Sequence, residues 1–101
     1  MIRHTVVFKL KHPAGSQPEL DFLRSAQKLL EIPTVKNFEC LRQISEKNGY
    51  DFGLSMEFES SDDYETYNMH PFHVEFVQTR WIPEVADFME IDYEPYDGGL
   101  S

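Results

Sequence analysis

Apolar residues along this chain recur first at every second position, then at helical spacing, twice more at every second position, again at helical spacing, and last at every second position. A chain patterned in that order has few ways to bury its apolar side. From Ile2 to Lys11, the residues Ile2, His4, Val6, Phe8 and Leu10 fall on one face, while Arg3, Thr5, Lys9 and Lys11 fall on the other with Val7. The alternation predicts a half-buried strand with His4 on its buried side. His12-Pro13-Ala14-Gly15 breaks it, and Ser16-Gln17-Pro18-Glu19 has the form of a capping box with proline in the first turn. The helix expected from Glu19 to Glu31 gathers Leu20, Phe22, Leu23, Ala26, Leu29 and Leu30 on one arc, opposite Asp21, Arg24, Ser25, Lys28 and Glu31. Ile32-Pro33 ends it, because the residue before a proline avoids the α region.

Val35 to Ile44 predicts a second strand, with Phe38, Cys40 and Ile44 alternating against Asn37, Glu39 and Gln43. Arg42 sits in the apolar register and Leu41 outside it, so both faces of this strand are expected to be partly covered. Asn48-Gly49 is the strongest short hairpin signal, and the strand from Tyr50 to Phe58, with Phe52, Leu54, Met56 and Phe58 on one side, should pair antiparallel with the second. Ser60-Ser61-Asp62-Asp63 starts another helix, which carries Tyr64 and Tyr67 and runs to His70-Pro71. Proline suits the first position of a helix, so His70 is expected to cap a new segment that continues to Val85, with His73 in its first turn. His73 shares an arc there with Phe76, Val77, Arg80, Trp81 and Val85. The last strand, Asp87 to Tyr93, alternates Met89, Ile91 and Tyr93 against Asp87, Glu90, Asp92 and Glu94, with Phe88 as an exception.

The order is β-α-β-β-α-β, an α+β chain with the ferredoxin-like split βαβ pattern: a four-stranded antiparallel sheet with its helices on one face. The other face of such a sheet is bare. Here it is expected to carry Thr5, Val7, Leu41, Gly53, Ser55 and Phe88 among charged residues, with Lys9 and Lys11 pairing there with Glu90 and Asp92. A second copy of the sheet would bury that face, so a homodimer is expected.

Of the 101 residues, 41% are hydrophobic, enough for one two-layer core, and residues 1–96 are expected to form that domain with 97–101 as a flexible tail. A net charge of −9 repels phosphate backbones and anionic lipid, which argues against nucleic acid and membrane partners. No apolar run approaches the roughly 20 residues that span a bilayer, and no signal-peptide pattern opens the chain, so it reads as cytoplasmic. The single cysteine, Cys40, is read as a small strand residue. Without a Gly-rich phosphate loop, no nucleotide cofactor is expected.

The residues suited to chemistry gather near Tyr67-Asn68-Met69-His70-Pro71-Phe72-His73. His73 lies at a helix start and on an apolar arc, and both lower an imidazole pKa. A neutral histidine near pH 7 can accept a proton. With a bend at Pro71, Tyr67, His70 and His73 could line one mouth, and His4 from the first strand could meet them there. His73 and Tyr67 are thus the candidate catalytic pair, and His4, His70 and Trp81 the candidate ligand contacts. The plainer alternative is a packed junction whose histidines bond the free amides of the helix start, with Trp81 in the core and Arg80 paired to a carboxylate. His4, His70 and His73 would supply three nitrogens for zinc, but no Asp, Glu or Cys is spaced to secure the ion, so no metal is expected. What separates the readings is whether a cavity of some hundreds of Å³ opens onto both Tyr67 and His73.

The chain resembles the stress-responsive A/B barrel (Dabb) family. The likeness rests on the opening Ile2-Arg-His-Thr-Val-Val-Phe-Lys-Leu-Lys11, on Lys47-Asn-Gly-Tyr-Asp51, on Met56-Glu-Phe-Glu59, on Tyr67-x-x-His70-Pro-x-His73-Val and on Ile91-Asp-Tyr93. It covers nearly the whole chain, and His-Pro-x-His after a tyrosine is its most specific part. The resemblance implies a dimeric α/β barrel, with a pocket inside each subunit between helices and sheet. Most members have no established reaction, and one plant member closes a polyketide chain by an aldol step with a histidine base and a tyrosine. The resemblance implies that His73 and Tyr67 correspond to that pair, and that His4 corresponds to another pocket histidine. Two functions follow as expectations: a homodimeric module holding a small apolar or aromatic molecule, or a cofactor-free cyclase or proton-transfer enzyme.

Overall fold

The computed structural model describes residues 1–96, so the tail expected at 97–101 lies outside the described residues. Four strands, β1 (Ile2–Leu10), β2 (Lys36–Arg42), β3 (Phe52–Phe58) and β4 (Val85–Tyr93), form one sheet in the order β2-β3-β1-β4, all neighbours antiparallel. This is the ferredoxin-like arrangement the periodicities predict. The β1 strand is central, and its even-numbered residues from His4 to Leu10 are buried. Phe8 is the hub of the core: its ring lies 5.8 Å from Phe22 and Phe52 and 5.0 Å from Trp81.

Helix α1 (Gln17–Ala26) starts as the sequence predicts, with the Ser16 hydroxyl accepting from the Glu19 amide, although the Glu19 carboxylate reaches the Gly15 amide rather than closing the box on Ser16. After Ala26 the chain tightens into a 3-10 turn, Gln27–Glu31. Three residues per turn instead of 3.6 rotate Leu29 into the core and leave Leu30 half exposed, so the single apolar arc expected to Glu31 is broken there. Helix α2 (Ser61–Met69) is capped by the Ser60 hydroxyl on the Asp63 amide. The segment read as one helix to Val85 is instead α3 (Pro71–Phe76), a π-type turn (Val77–Trp81) and α4 (Ile82–Glu84), with Pro83 in the first turn of α4.

Two turn-level expectations change. Strands β2 and β3 do pair antiparallel, but Asn48-Gly49 does not make a two-residue hairpin turn. Neither residue has positive φ; the Asn48 side chain instead accepts from the Tyr50 amide, inside a longer loop closed by Gln43 N–H to Asp51 O at 2.9 Å. In β2 the left-handed residue is Asn37, at φ 51°, where the pairing with β3 shifts between Lys36 and Glu39.

The larger correction concerns β4. Pairing with β1 sets Val6 opposite Glu90 and His4 opposite Asp92, and paired residues share a face. Glu90 and Asp92 therefore sit on the helix side, whereas Met89, Ile91 and Tyr93 join Val7, Thr5 and Arg3 on the bare side. Phe88 pairs with Phe8 and meets Trp81 edge-on at 5.5 Å, so it too belongs to the helix side and not to the bare face. The expected pairs of Lys9 and Lys11 with Glu90 and Asp92 do not form, because the acids are on the wrong side of the sheet for them. The inversion arises because β4 turns its apolar Met89, Ile91 and Tyr93 to the bare side; a bulge lies only at its start, where Lys9 pairs with Asp87 but Leu10 with Val85, so Val85 and Phe88 face inward although three residues apart.

Candidate ligand cavity

The junction between α2 and α3 is built around Pro71. It cannot continue α2, so His70 leaves the helical region at φ −65°, ψ 137° and its Nδ1 accepts the Phe72 amide at 3.1 Å. One turn on, the His73 ring folds back across the bend, and its Nδ1–H donates to the Asn68 carbonyl at 3.0 Å. A carbonyl only accepts, so this bond fixes the proton on Nδ1 of the neutral ring and leaves Nε2 as an acceptor. The Tyr67 ring, almost fully buried, lies 4.4 Å from that of His73.

Between these residues and the sheet is a cavity of about 520 Å³. Its polar lining is His4, Tyr67, Asn68, His73 and Glu90; Val6, Leu54 and Met56 of the sheet form part of its floor, and Trp81 and the half-exposed Phe88 line it as well. The structure thus brings together four of the five residues that the sequence singles out: His73, Tyr67, His4 and Trp81. His70 is not among them. It caps α3 with its ring against Phe72, at 4.8 Å, and is not among the residues that line the cavity.

Electrostatics separate the two leading groups. Burial chiefly, and the nearby His4, push the His73 pKa below that of a free imidazole, against the Asn68 carbonyl and the Glu90 carboxylate, which raise it. Burial, then Glu90, raises the Tyr67 phenol far above its ordinary value, so it stays protonated and can donate. The cavity lining therefore holds an imidazole that favours its neutral form and a phenol that keeps its proton, their rings 4.4 Å apart.

Sequence reasoning missed the cluster behind His4. Asp92 Oδ1 lies 2.5 Å from His4 Nδ1, and the Tyr64 hydroxyl donates to Asp92 Oδ2 at 2.9 Å while standing 2.8 Å from the same nitrogen. The carboxylate accepts a hydrogen bond from Nδ1–H, which orients the imidazole. The signal that could have found it is topological: in this fold the last strand runs antiparallel beside the first, so the end of β4 faces the start of β1. At the opposite end of β1, His12 Nε2 and Arg80 Nε both approach Glu84, at 2.7 and 2.6 Å, so His12 is more than a loop residue and Arg80 finds the carboxylate expected of it.

A split βαβ sheet with a lined cavity under its helices defines a ferredoxin-like α+β domain of the kind that places its functional groups between layers. The chain belongs to the stress responsive A/B barrel domain (Dabb) family, whose model matches residues 2–95. A Dabb family protein with a ferredoxin-like fold from Mesorhizobium loti is 56% identical, with a TM-score of 0.93 over 94% of this chain and 96% of that one. A stress-response A/B barrel domain-containing protein of Arabidopsis thaliana is 28% identical over 95 residues, 92% of this chain but 36% of that protein, so the chain spans about a third of its length. Olivetolic acid cyclase of Cannabis sativa is 28% identical over 79 residues, 74% of this chain and 78% of the cyclase. Among the described residues no helix is long and apolar enough to cross a membrane, and no cluster of three or more His, Cys, Asp or Glu is arranged to hold a metal ion.

Proposed function

We propose that the chain is a homodimeric binding module whose cavity holds a small apolar or aromatic molecule. The observation that carries this reading is the cavity itself: at about 520 Å³ it is the size ligand sites have, with apolar walls and a few convergent polar groups. A core of this size that served packing alone would close such a void, since unfilled space costs stability. The bare face of the sheet supports the dimer. Val7 beside Met89 and Gly53, with Thr5 beside Ile91, make an apolar strip that a second sheet can cover.

The test is to capture metabolites on the native protein and identify them by mass spectrometry, then to repeat the capture with Leu54→Trp, which fills the floor. A compound that is retained by the native chain and lost in the filled variant supports the reading. Equal recovery from both would discard it.

One observation favours a second, catalytic reading. The bond from His73 Nδ1–H to the Asn68 carbonyl leaves Nε2 as an acceptor, and the Tyr67 ring stands 4.4 Å from that imidazole in the same cavity lining, an acceptor and a donor of the kind a cofactor-free proton transfer needs. His73 Nε2 would take a proton from the carbon between two carbonyls, and the Tyr67 O–H would stabilise the enolate oxygen. The enolate carbon would then attack a further carbonyl, and the imidazolium would return its proton to the alkoxide so formed. On this reading His73→Ala abolishes turnover of a β-dicarbonyl substrate and Tyr67→Phe lowers it by about 10²-fold or more, with ligand retained in both. Retained binding with no turnover in the native chain leaves the module.

A further inference from the structure

We propose that Glu90 makes this cavity selective for uncharged ligands that bring hydroxyl hydrogens, and closes it to carboxylates. The inference rests on reading the cavity as a ligand site. Two acids of β4 face the helix side, and they are used differently. Asp92 is consumed by the protein, one oxygen on His4 and the other on Tyr64. Glu90, two residues earlier and opposite Val6, lines the cavity and has no ion pair or hydrogen bond among the described residues. Among the described residues, no lysine or arginine lines the cavity with it.

The consequence follows from charge and from donor count. A carboxylate entering the cavity gives up part of its water and meets the carboxylate of Glu90, itself exposed at the cavity edge, with no lysine or arginine among the described lining residues to offset it, in a chain of net charge −9. A neutral ligand carrying hydroxyl groups meets the opposite situation. Glu90 is an acceptor only, and His73 Nε2 is a second acceptor because its other nitrogen is held by Asn68. A hydroxyl that donates to a carboxylate makes a charge-assisted bond, stronger than a neutral one. The Tyr67 O–H and the Asn68 side chain can then serve an oxygen of the same ligand.

Three probes of similar size separate these effects: 4-hexylresorcinol, with two donors; its dimethyl ether, with none; and 4-hexylbenzoate, an anion. Binding is followed by titration calorimetry near neutral pH, for the native chain and for Glu90→Gln, with Glu90→Leu as a second variant should the first fold poorly. The resorcinol is expected to bind on the order of tenfold or more tighter than the benzoate, and several-fold tighter than the ether. In Glu90→Gln the gap to the benzoate should close to within about threefold, and added salt should narrow it in the native chain alone. The proposal is overturned if the benzoate binds the native chain as tightly as the resorcinol, or if both Glu90 variants keep the native gap. Equal binding of all three probes would overturn this inference and leave the cavity as a ligand site. Binding of none would remove both.

Discussion

The two faces of the sheet are made of alternate residues of the same strands, yet they are chemically inverted relative to expectation at β4. The covered face buries Val6, Phe8, Leu54, Met56 and Phe58, and at its β4 edge it carries two carboxylates. The bare face, which ought to be the polar one, carries Leu41, Met89, Ile91 and Tyr93, all more than a third exposed. The difference teaches that burial alone does not define inside and outside in this fold. Under the helices there is a lined space that can hold polar groups, and across the bare face there is apolar surface that nothing among the described residues covers.

Substitutions sharpen that contrast, beginning with the largest effect. Phe8→Ala removes the ring at the hub of the covered face and should cost about 3–5 kcal/mol of unfolding free energy in urea titrations. A loss below about 1 kcal/mol would mean that the helices pack loosely and that the cavity is not framed by a rigid core. Ile91→Lys places a charge at the middle of the bare strip. Its expected result is self-association weaker on the order of a hundredfold, about 2.7 kcal/mol, by sedimentation velocity across a concentration series, with the circular dichroism spectrum retained. A native chain that is monomeric throughout the series would break the comparison at its root.

Asp92→Ala tests the polar edge of the covered face. It leaves the buried His4 nitrogen and the Tyr64 hydroxyl without their shared acceptor, and should cost roughly 1–2 kcal/mol, the Asp92 side chain being partly open to water. Sedimentation should be unchanged, since Asp92 is on the other side of the sheet from Ile91. The smallest effect is a pH slope. The folded His73 holds its proton less readily than a free imidazole, so between the two pKa values the unfolded chain binds a proton that the folded chain refuses. Stability should be full above about pH 6.5 and decline as the pH falls below it, and His73→Ala should lose that part of the slope in melts recorded from neutral to mildly acidic pH.

The fold was legible where one face of an element is simply buried and the other simply wet. Strands β1 and β3 alternate cleanly for that reason, and Ser16, Ser60 and Pro71 announce their helix starts through local chemistry that no tertiary contact overrides. The site was half legible. His4 and His73 could be brought together because each lies on an apolar periodicity, Tyr67 through its spacing from His70 and His73 across the bend at Pro71, and Trp81 because it shares the arc of His73. Glu90 and Asp92 could not, since a carboxylate on an inward face runs against the hydrophobic pattern. Phe88 was the one residue of β4 that pointed to the true register, and it looked like an exception. His70 was read two ways, and the capping bond decides between them. The Asn48-Gly49 turn failed because side-chain bonds from Gln43 and Asn48 stabilise a longer loop than the dipeptide alone demands.

The bulge beside Lys9 and Leu10 divides the β4 wall of the cavity into two independently adjustable parts. On one side of it Val85 and α4 shape the mouth; on the other, Phe88, Glu90 and Asp92 keep the alternation that delivers one acid to the cavity and one to His4. A change of length in α4, which ends at Glu84 directly before Val85, can be absorbed at the bulge without sliding the acids past their partners. Descendants of this chain can therefore acquire a wider or narrower entrance while inheriting the same chemical interior.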